Sequence, residues 1–195
     1  TLAGDHEVNQ VFFDDVRVPQ ANRVGPEHEG WTVAKYLLEF ERGGAGSSPR
    51  LQVLLDEVRN MARAETDLGE PLIEDSGVRG RLAEAEISLE GLEFTELKVL
   101  ARVAAGGSPG TESSLLKNWS VDIQQTLEEL ACDAIGRFAV PHNNLMRLRD
   151  NNARPVGPDY AEPVTARYLN GRAASIFGGA REVQKNIIAK SVLGL

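Results

Sequence analysis

The stretch ESSLLKNWSVDIQQTLEELACDAI, residues 112–135, decides the fold class. Leu115, Leu116, Trp119, Ile123, Leu127, Leu130 and Ala131 recur there at helical spacing, which gathers them on one side, and Gly136 closes the clear part of the pattern. Upstream, Ala104-Ala105-Gly106-Gly107 with Pro109 and Gly110 separates this helix from another long one. That earlier helix has apolar positions 78, 82, 85, 89, 92, 99 and 103, at intervals of three, four and seven, and Asp75 or Ser76 can cap its start. Gly69-Glu70-Pro71 is a break before it.

Further upstream, residues 31, 34, 37 and 38 give helical spacing to the segment from Trp31 to Arg42. The pattern can continue past Gly43-Gly44 into Leu51, Leu54, Leu55 and Val58, with Asp56, Glu57, Arg59 and Asn60 on the opposite face. Downstream, Asn143 to Pro163 reads as loop. Pro163 then suits a helix first turn, the pattern resumes through Tyr168 to Phe177, and Gly178-Gly179 interrupts it before a last helix from Arg181 to Val192. Long striped helices joined by short Gly/Pro breaks predict a mostly α chain, an antiparallel four-helix bundle. At the other end, Val8 to Phe13 and Val16 to Val18 are β-branched and aromatic runs that predict strand, an N-terminal β remnant stopped by Pro19. Thr1 is not an initiator Met, and a strand with no sheet around it carries the expectation that sequence precedes it.

The 195 residues suffice for one core, and a hydrophobic fraction of 42% with 26% charged residues argues against a disordered or fibrous chain. The net charge of −8 speaks against nucleic acid or an anionic membrane as partner. The lone Cys132 excludes an internal disulfide and reads as a structural, buried thiol. No apolar run reaches the ~20 residues that cross a bilayer, so the expected location is cytoplasmic. His6, His28 and His142 are scattered and give a zinc site no support, and Ser113, Ser114 and Ser120 lack a nucleophile-elbow setting. Trp31, Trp119, Phe138 and Phe177 read as core.

Glu41 is the most informative single residue. On a helix it falls near the stripe of Ala34, Leu37 and Leu38, whereas Glu39 points the other way. An inward carboxylate is disfavoured as an ion by desolvation, which is how proteins prepare a carboxylate base for neutral pH. The alternatives are a helix-end glutamate paired with Arg42 or one turned to solvent. Gly178-Gly179 ahead of a helix offers unshielded amides to a phosphate, or is a kink between packed helices.

These residues resemble the acyl-CoA dehydrogenase family along essentially the whole chain. Asn9-Gln10-Val11-Phe12-Phe13-Asp14-Asp15-Val16-Arg17-Val18-Pro19, with Val24-Gly25 and Gly30-Trp31, is similar to the end of that family's middle β-domain. Leu38-Glu39-Phe40-Glu41-Arg42 is similar to its first C-terminal helix. Tyr168-Leu169-Asn170-Gly171-Arg172, Ile176-Phe177-Gly178-Gly179, Glu182 to Lys190 and Leu193-Gly194-Leu195 resemble its terminal segment. The resemblance implies residues 1–29 as the end of the middle β-domain and 30–195 as the C-terminal helical-bundle domain. It also implies FAD as cofactor and α,β-dehydrogenation of an acyl-CoA thioester, with a glutamate removing the α-proton. Many members hold that glutamate in a terminal Y-E-G-T, where this chain has Gly178. Isovaleryl-type and some long-chain enzymes hold it on the first helix, where Glu41 aligns, so the spacing and the resemblance meet on Glu41. That placement hints at a branched or bulky acyl group.

On the flavin side, the resemblance implies Asp133, Gly136, Gly179, Ala180 and Glu182 as cofactor-binding positions. Three departures fall in this group. The family's R-x-x-F-G is Glu65-Thr66-Asp67-Leu68-Gly69, its Q-x-x-G-G is Asp133-Ala134-Ile135-Gly136-Arg137, and its Gly-Thr is Gly179-Ala180. A glutamate repels a phosphate where a cation is needed. The expected assembly is therefore a homo- or hetero-oligomer with related subunits, the partner completing the FAD site. These 195 residues alone are expected to be inactive. A non-catalytic partner subunit and a helical interaction module are the alternatives.

Overall fold

A computed structural model describes residues 1–42, 46–141 and 154–195, with the side chains of residues 39, 40 and 42 undescribed. The helices are α1 (Gly30–Arg42), α2 (Ser47–Ala64), α3 (Ser76–Ala104), α4 (Glu112–Ile135), α5 (Val164–Gly171) and α6 (Arg181–Ile188). The described strands are β1 (Thr66–Asp67) and β2 (Glu70–Pro71), a short antiparallel pair turning through Leu68 and Gly69. The chain is mostly helical, and α4 is its hub: it packs on α1, α2, α3, α5 and α6, while α2 and α3 also pack on each other.

Periodicity explains this layout. The stripe of α4 buries Leu116, Ile123, Leu127 and Leu130 against Leu51, Leu55 and Val58 of α2 and Leu82, Leu89, Leu92 and Val99 of α3. The start of α3 is the expected one: Asp75 caps it, its carboxylate accepting the Val78 amide at 2.9 Å. Its end at Ala104 and the bounds of α4 also match the sequence reading. Pro163 leads into α5.

The start of α2 is capped from a distance. Its first turn follows left-handed Gly46, which has no side chain to cap it. Instead the buried Glu96 of α3 accepts the Ser47 amide at 3.1 Å, the Ser48 amide at 3.2 Å and the Ser48 hydroxyl at 2.5 Å. A carboxylate against unsatisfied helix amides satisfies their donors and complements the helix dipole.

Several expectations need correction. Residues 8–18 bend at Asp14-Asp15 and belong to no ladder, and Val8, Val11, Phe12, Phe13, Val16 and Val18 are exposed; a strand forms only where a neighbour accepts its backbone bonds. Trp31 and Phe177 are 71% and 61% exposed, so neither is core, whereas Trp119 and Phe138 do pack against the core. The first and second helical patterns form separate helices; Gly43-Gly44 lies outside the described residues, as do His142 and residues 143–153 of the expected loop. Cys132 is half-buried, and burial pushes its thiol up to about 11. Among the described residues, no helix is long and apolar enough to cross a membrane.

Substituting Leu127→Ala should cost about 2–5 kcal/mol of stability. Glu96→Ala, which orphans the buried donors at the start of α2, should cost about 1–3 kcal/mol. Urea unfolding measures both; a Glu96→Ala chain as stable as the parent would show that the cap is not needed.

Candidate active site

Glu41 closes α1, three residues after Leu38, and both line a cavity of about 250 Å³. The start of α2 contributes Ser47 and Arg50. One face of α4 contributes Lys117, Ser120, Val121 and Gln124, and the terminal segment adds Ala174, Phe177 and Gly178. The two positions at which the sequence could carry a base, 41 and 178, thus face one space. Gly178 has φ 66°, which favours glycine, yet a Cβ there would meet nothing nearer than Lys117 Cε at 4.0 Å. Glu41 itself is exposed, against the expectation of an inward carboxylate. The cause is visible in α1: Leu37 of its apolar stripe is 55% exposed, so the stripe does not have a core over it.

A polar chain runs from this cavity into the molecule. Arg50 Nη2 donates to Gln124 Oε1 at 2.8 Å, and Gln124 Nε2 donates to Glu128 Oε1 at 2.7 Å. The other oxygen of Glu128 accepts from Arg172 Nη2 at 3.3 Å. Arg172 also donates to Glu129 and to the carbonyls of Tyr168 and Gln125, and its guanidinium lies 4.3 Å from the Tyr168 ring centre. Burial raises the carboxyl of Glu128, opposed by the bonds from Gln124 and Arg172. Gly171 is there because of Glu128: a Cβ at 171 would stand 1.9 Å from its Oε2. Lys117 Nζ donates to Ala174 O at 3.0 Å, and burial, then Arg181, lowers its ammonium. None of Arg50, Lys117, Gln124 or Glu128 stood out in the sequence; each is an ordinary polar residue on a helix, and its importance comes from partners far along the chain.

The expected cofactor positions fall into two places. Asp133 and Gly136 end α4, with Asp133 accepting from Arg81 at 2.7 Å and Gly136 at φ 52°. Gly179, Ala180 and Glu182 enter α6, which is docked near the other end of α4, where Asn118 Nδ2 donates to the Arg181 carbonyl at 3.3 Å. From Asn118 to Asp133 along α4 is about 22 Å at 1.5 Å per residue. One copy of the chain does not bring these positions together. Among the described residues, no three His, Cys, Asp or Glu side chains are grouped to hold a metal.

The family model for the acyl-CoA dehydrogenase C-terminal domain matches residues 28–193. The chain belongs to the acyl-CoA dehydrogenase family. It is 33% identical to acyl-CoA dehydrogenase IpdE1 of Mycobacterium tuberculosis, over 100% of this chain and 46% of the relative. It is 22% identical to the mitochondrial long-chain specific acyl-CoA dehydrogenase of Rattus norvegicus, over 94% of this chain and 39% of that protein. The fold is similar to that of butyryl-CoA dehydrogenase from Megasphaera elsdenii, with a TM-score of 0.74 and 18% identity over 93% of this chain and 43% of that one. The chain therefore spans a little under half the length of these acyl-CoA dehydrogenases.

The family's flavin can be tested against the residues present. Around Glu65 they do not fit a diphosphate. Its carboxylate accepts the Tyr160 hydroxyl at 2.7 Å, with burial and this bond pushing the phenol up to about 12, and it would repel a phosphate. At α6 they fit better, since Gly178 and Gly179 hold left-handed φ and the first turn has no side-chain cap, leaving amides for an anion.

Because burial lifts Glu128 above its unfolded value, the folded chain holds a proton that the unfolded chain releases once pH passes about 4.5. That contribution is complete below the unfolded value and is lost as pH rises through the folded one. Glu128→Gln removes it, so urea unfolding should find the variant gaining on the parent over the pH range that opens at about 4.5. A constant difference across that range would contradict the shift.

Proposed function

We propose that this chain is the helical-domain part of a flavin-dependent acyl-CoA dehydrogenase in which Glu41 removes the α-proton of the acyl thioester. The observation that carries the reading is that Glu41 and Gly178 line one cavity, so the missing glutamate of the terminal segment is replaced by one facing the same space. The likeness to a long-chain specific relative supports it, because some long-chain enzymes are of the type with the first-helix glutamate. On this reading, residues 1–29 belong to the β-domain, and 30–195 form the family's antiparallel four-helix domain with its short terminal helices.

The chemistry asked of this chain is one proton transfer. The carboxylate of Glu41 takes the proton from the carbon next to the thioester carbonyl, and the double bond forms as hydride leaves the β-carbon. FAD, when bound, supplies the acceptor for that hydride. Gly179 and Ala180 would offer backbone amides to it at the entry to α6. Lys117 and Arg50 flank the cavity and Gln124 holds Arg50 in place. A branched or bulky acyl group suits the first-helix glutamate, by analogy within the family.

A second reading concerns assembly, and Glu65 favours it. A carboxylate tied to Tyr160 where a diphosphate needs a cation supports a related but different subunit as the partner that completes the flavin site. If Glu41 also proved dispensable, this chain would be the non-catalytic member of such a pair.

In full-length protein, with its partner where one is needed, Glu41→Gln should reduce turnover by about 10²–10⁴-fold, the worth of a positioned base, while flavin content stays the same. Steady-state rates and flavin absorbance read the two; retained activity would refute the assignment. Full-length protein expressed alone should take up less than a full complement of FAD and gain it on co-expression with a related subunit. Full occupancy and activity alone would rule out the heteromeric reading.

A further inference from the structure

Two cations line the cavity beside Glu41 with no carboxylate to hold them. Arg50 comes from the start of α2 and Lys117 from α4. Asp and Glu number 29 against 21 Lys and Arg, so a shortage of carboxylates does not force any cation to go unpaired. Arg59, Arg81, Arg102, Arg167, Arg172 and Arg181 each have a carboxylate partner. Among the described residues neither Arg50 nor Lys117 has one, and Glu41, on the same cavity, pairs with neither.

Each cation is nevertheless held in place by neutral acceptors. Arg50 Nη2 donates to Gln124 Oε1, and Gln124 is fixed in turn by the buried Glu128. That bond uses one N–H of the guanidinium fork and leaves the rest to be satisfied. Lys117 is half-buried with its ammonium on the Ala174 carbonyl, and burial, then Arg181, disfavours its charge. A neutral acceptor satisfies a donor but does not balance a charge. Leu38, Val121 and Phe177 line the same cavity with apolar surface. Such a wall suits hydrocarbon, and a positioned guanidinium suits a carboxylate, which it binds through two parallel bonds.

We propose that the acyl group taken by this site ends in a carboxylate bound by Arg50 and shared with Lys117, so that the substrate is the mono-thioester of a dicarboxylic acid. The inference rests on the reading of this cavity as the acyl site and names the class of acyl group within it. A tail anchored at its end fixes the register of the chain, setting one carbon rather than its neighbours before Glu41. An uncharged tail would take water from Arg50 and Lys117 and give nothing in return, which makes the pair a device of selection as well as of binding.

The test uses full-length protein, with its partner where one is needed, in the Glu41→Gln form so that binding is read without turnover. Titration calorimetry compares the mono-CoA thioesters of unbranched dicarboxylic acids, from glutaryl to suberoyl, each with its own methyl ester. Acid and ester share the CoA phosphates, so their ratio isolates the tail. At the best-fitting length the acid should bind roughly tenfold or more tighter than its ester. Arg50→Gln should remove most of that ratio, whereas Arg50→Lys, which keeps the charge without the fork, should keep part of it. A ratio near one at every length, or one that survives Arg50→Gln unchanged, would overturn the proposal. Turnover by the Glu41→Gln form would refute the assignment of the base instead, and the ratio of acid to ester rates would then read the tail.

Discussion

Glu128 is buried in the middle of α4 with three demands on it: the Gln124 amide on one oxygen, the Arg172 guanidinium on the other, and Gly171 pressed against both. A carboxylate loses so much hydration in such a place that it persists only with charge-assisted partners. Those partners come from α4 itself, one turn away, and from the turn after α5. The terminal segment is thereby tied to α4 at a fixed height, and the residues after Arg172 take their places from that tie. Ala174 reaches Lys117, Gly178 reaches the cavity, and α6 begins where Asn118 can bond the Arg181 carbonyl. Gly171→Ala would push the two helices apart at this one point. The candidate site inherits its geometry from a salt bridge that takes no part in its chemistry.

Much of the helical frame was legible because each helix carries its own evidence. The bounds of α3 and α4 are set by a cap at Asp75, glycines at their ends and stripes that run along most of each helix. What was illegible depends on residues far apart in the chain. Glu96 caps α2 from a helix away, and Gln124 joins Arg50 to Glu128; in the sequence all four look like ordinary solvent-facing polar residues. The reading of Glu41 as inward failed for a related reason. Helical spacing reports which residues share a face, and whether that face is covered is a fact about neighbours. On α1 the stripe is half uncovered, so sharing a face with Leu37 placed Glu41 in solvent. Trp31 and Phe177 misled in the same way, as large aromatics whose cover lies outside the described contacts.

The departures on the flavin side gain a physical form. Glu65 is held by Tyr160 rather than left free to swing away, so its charge is a fixed property of that end of α2. The end of α4 is similarly settled, with Asp133 bound to Arg81. Both carboxylates sit far along the molecule from the entry to α6, where the backbone still suits an anion. The two ends of one chain thus differ in what they can do for a phosphate, and the difference is one of sign.

That asymmetry bears on how Glu41 could work as a base. A carboxylate gains proton affinity when water is removed from it, and the exposed end of α1 does not remove it. Of the helices described, only α4 packs closely on α1, and Trp31, Tyr36 and Leu37 of α1 are exposed. Residues 8–18 add a row of exposed valines and phenylalanines just before it. Apolar surface of that extent marks a place of contact. Whatever covers it would also exclude water from the mouth of the cavity beside Glu41. On this view the residue is positioned by its own chain and activated by its cover. In the proposed reaction, proton abstraction would then be confined to the assembly in which α1 is covered.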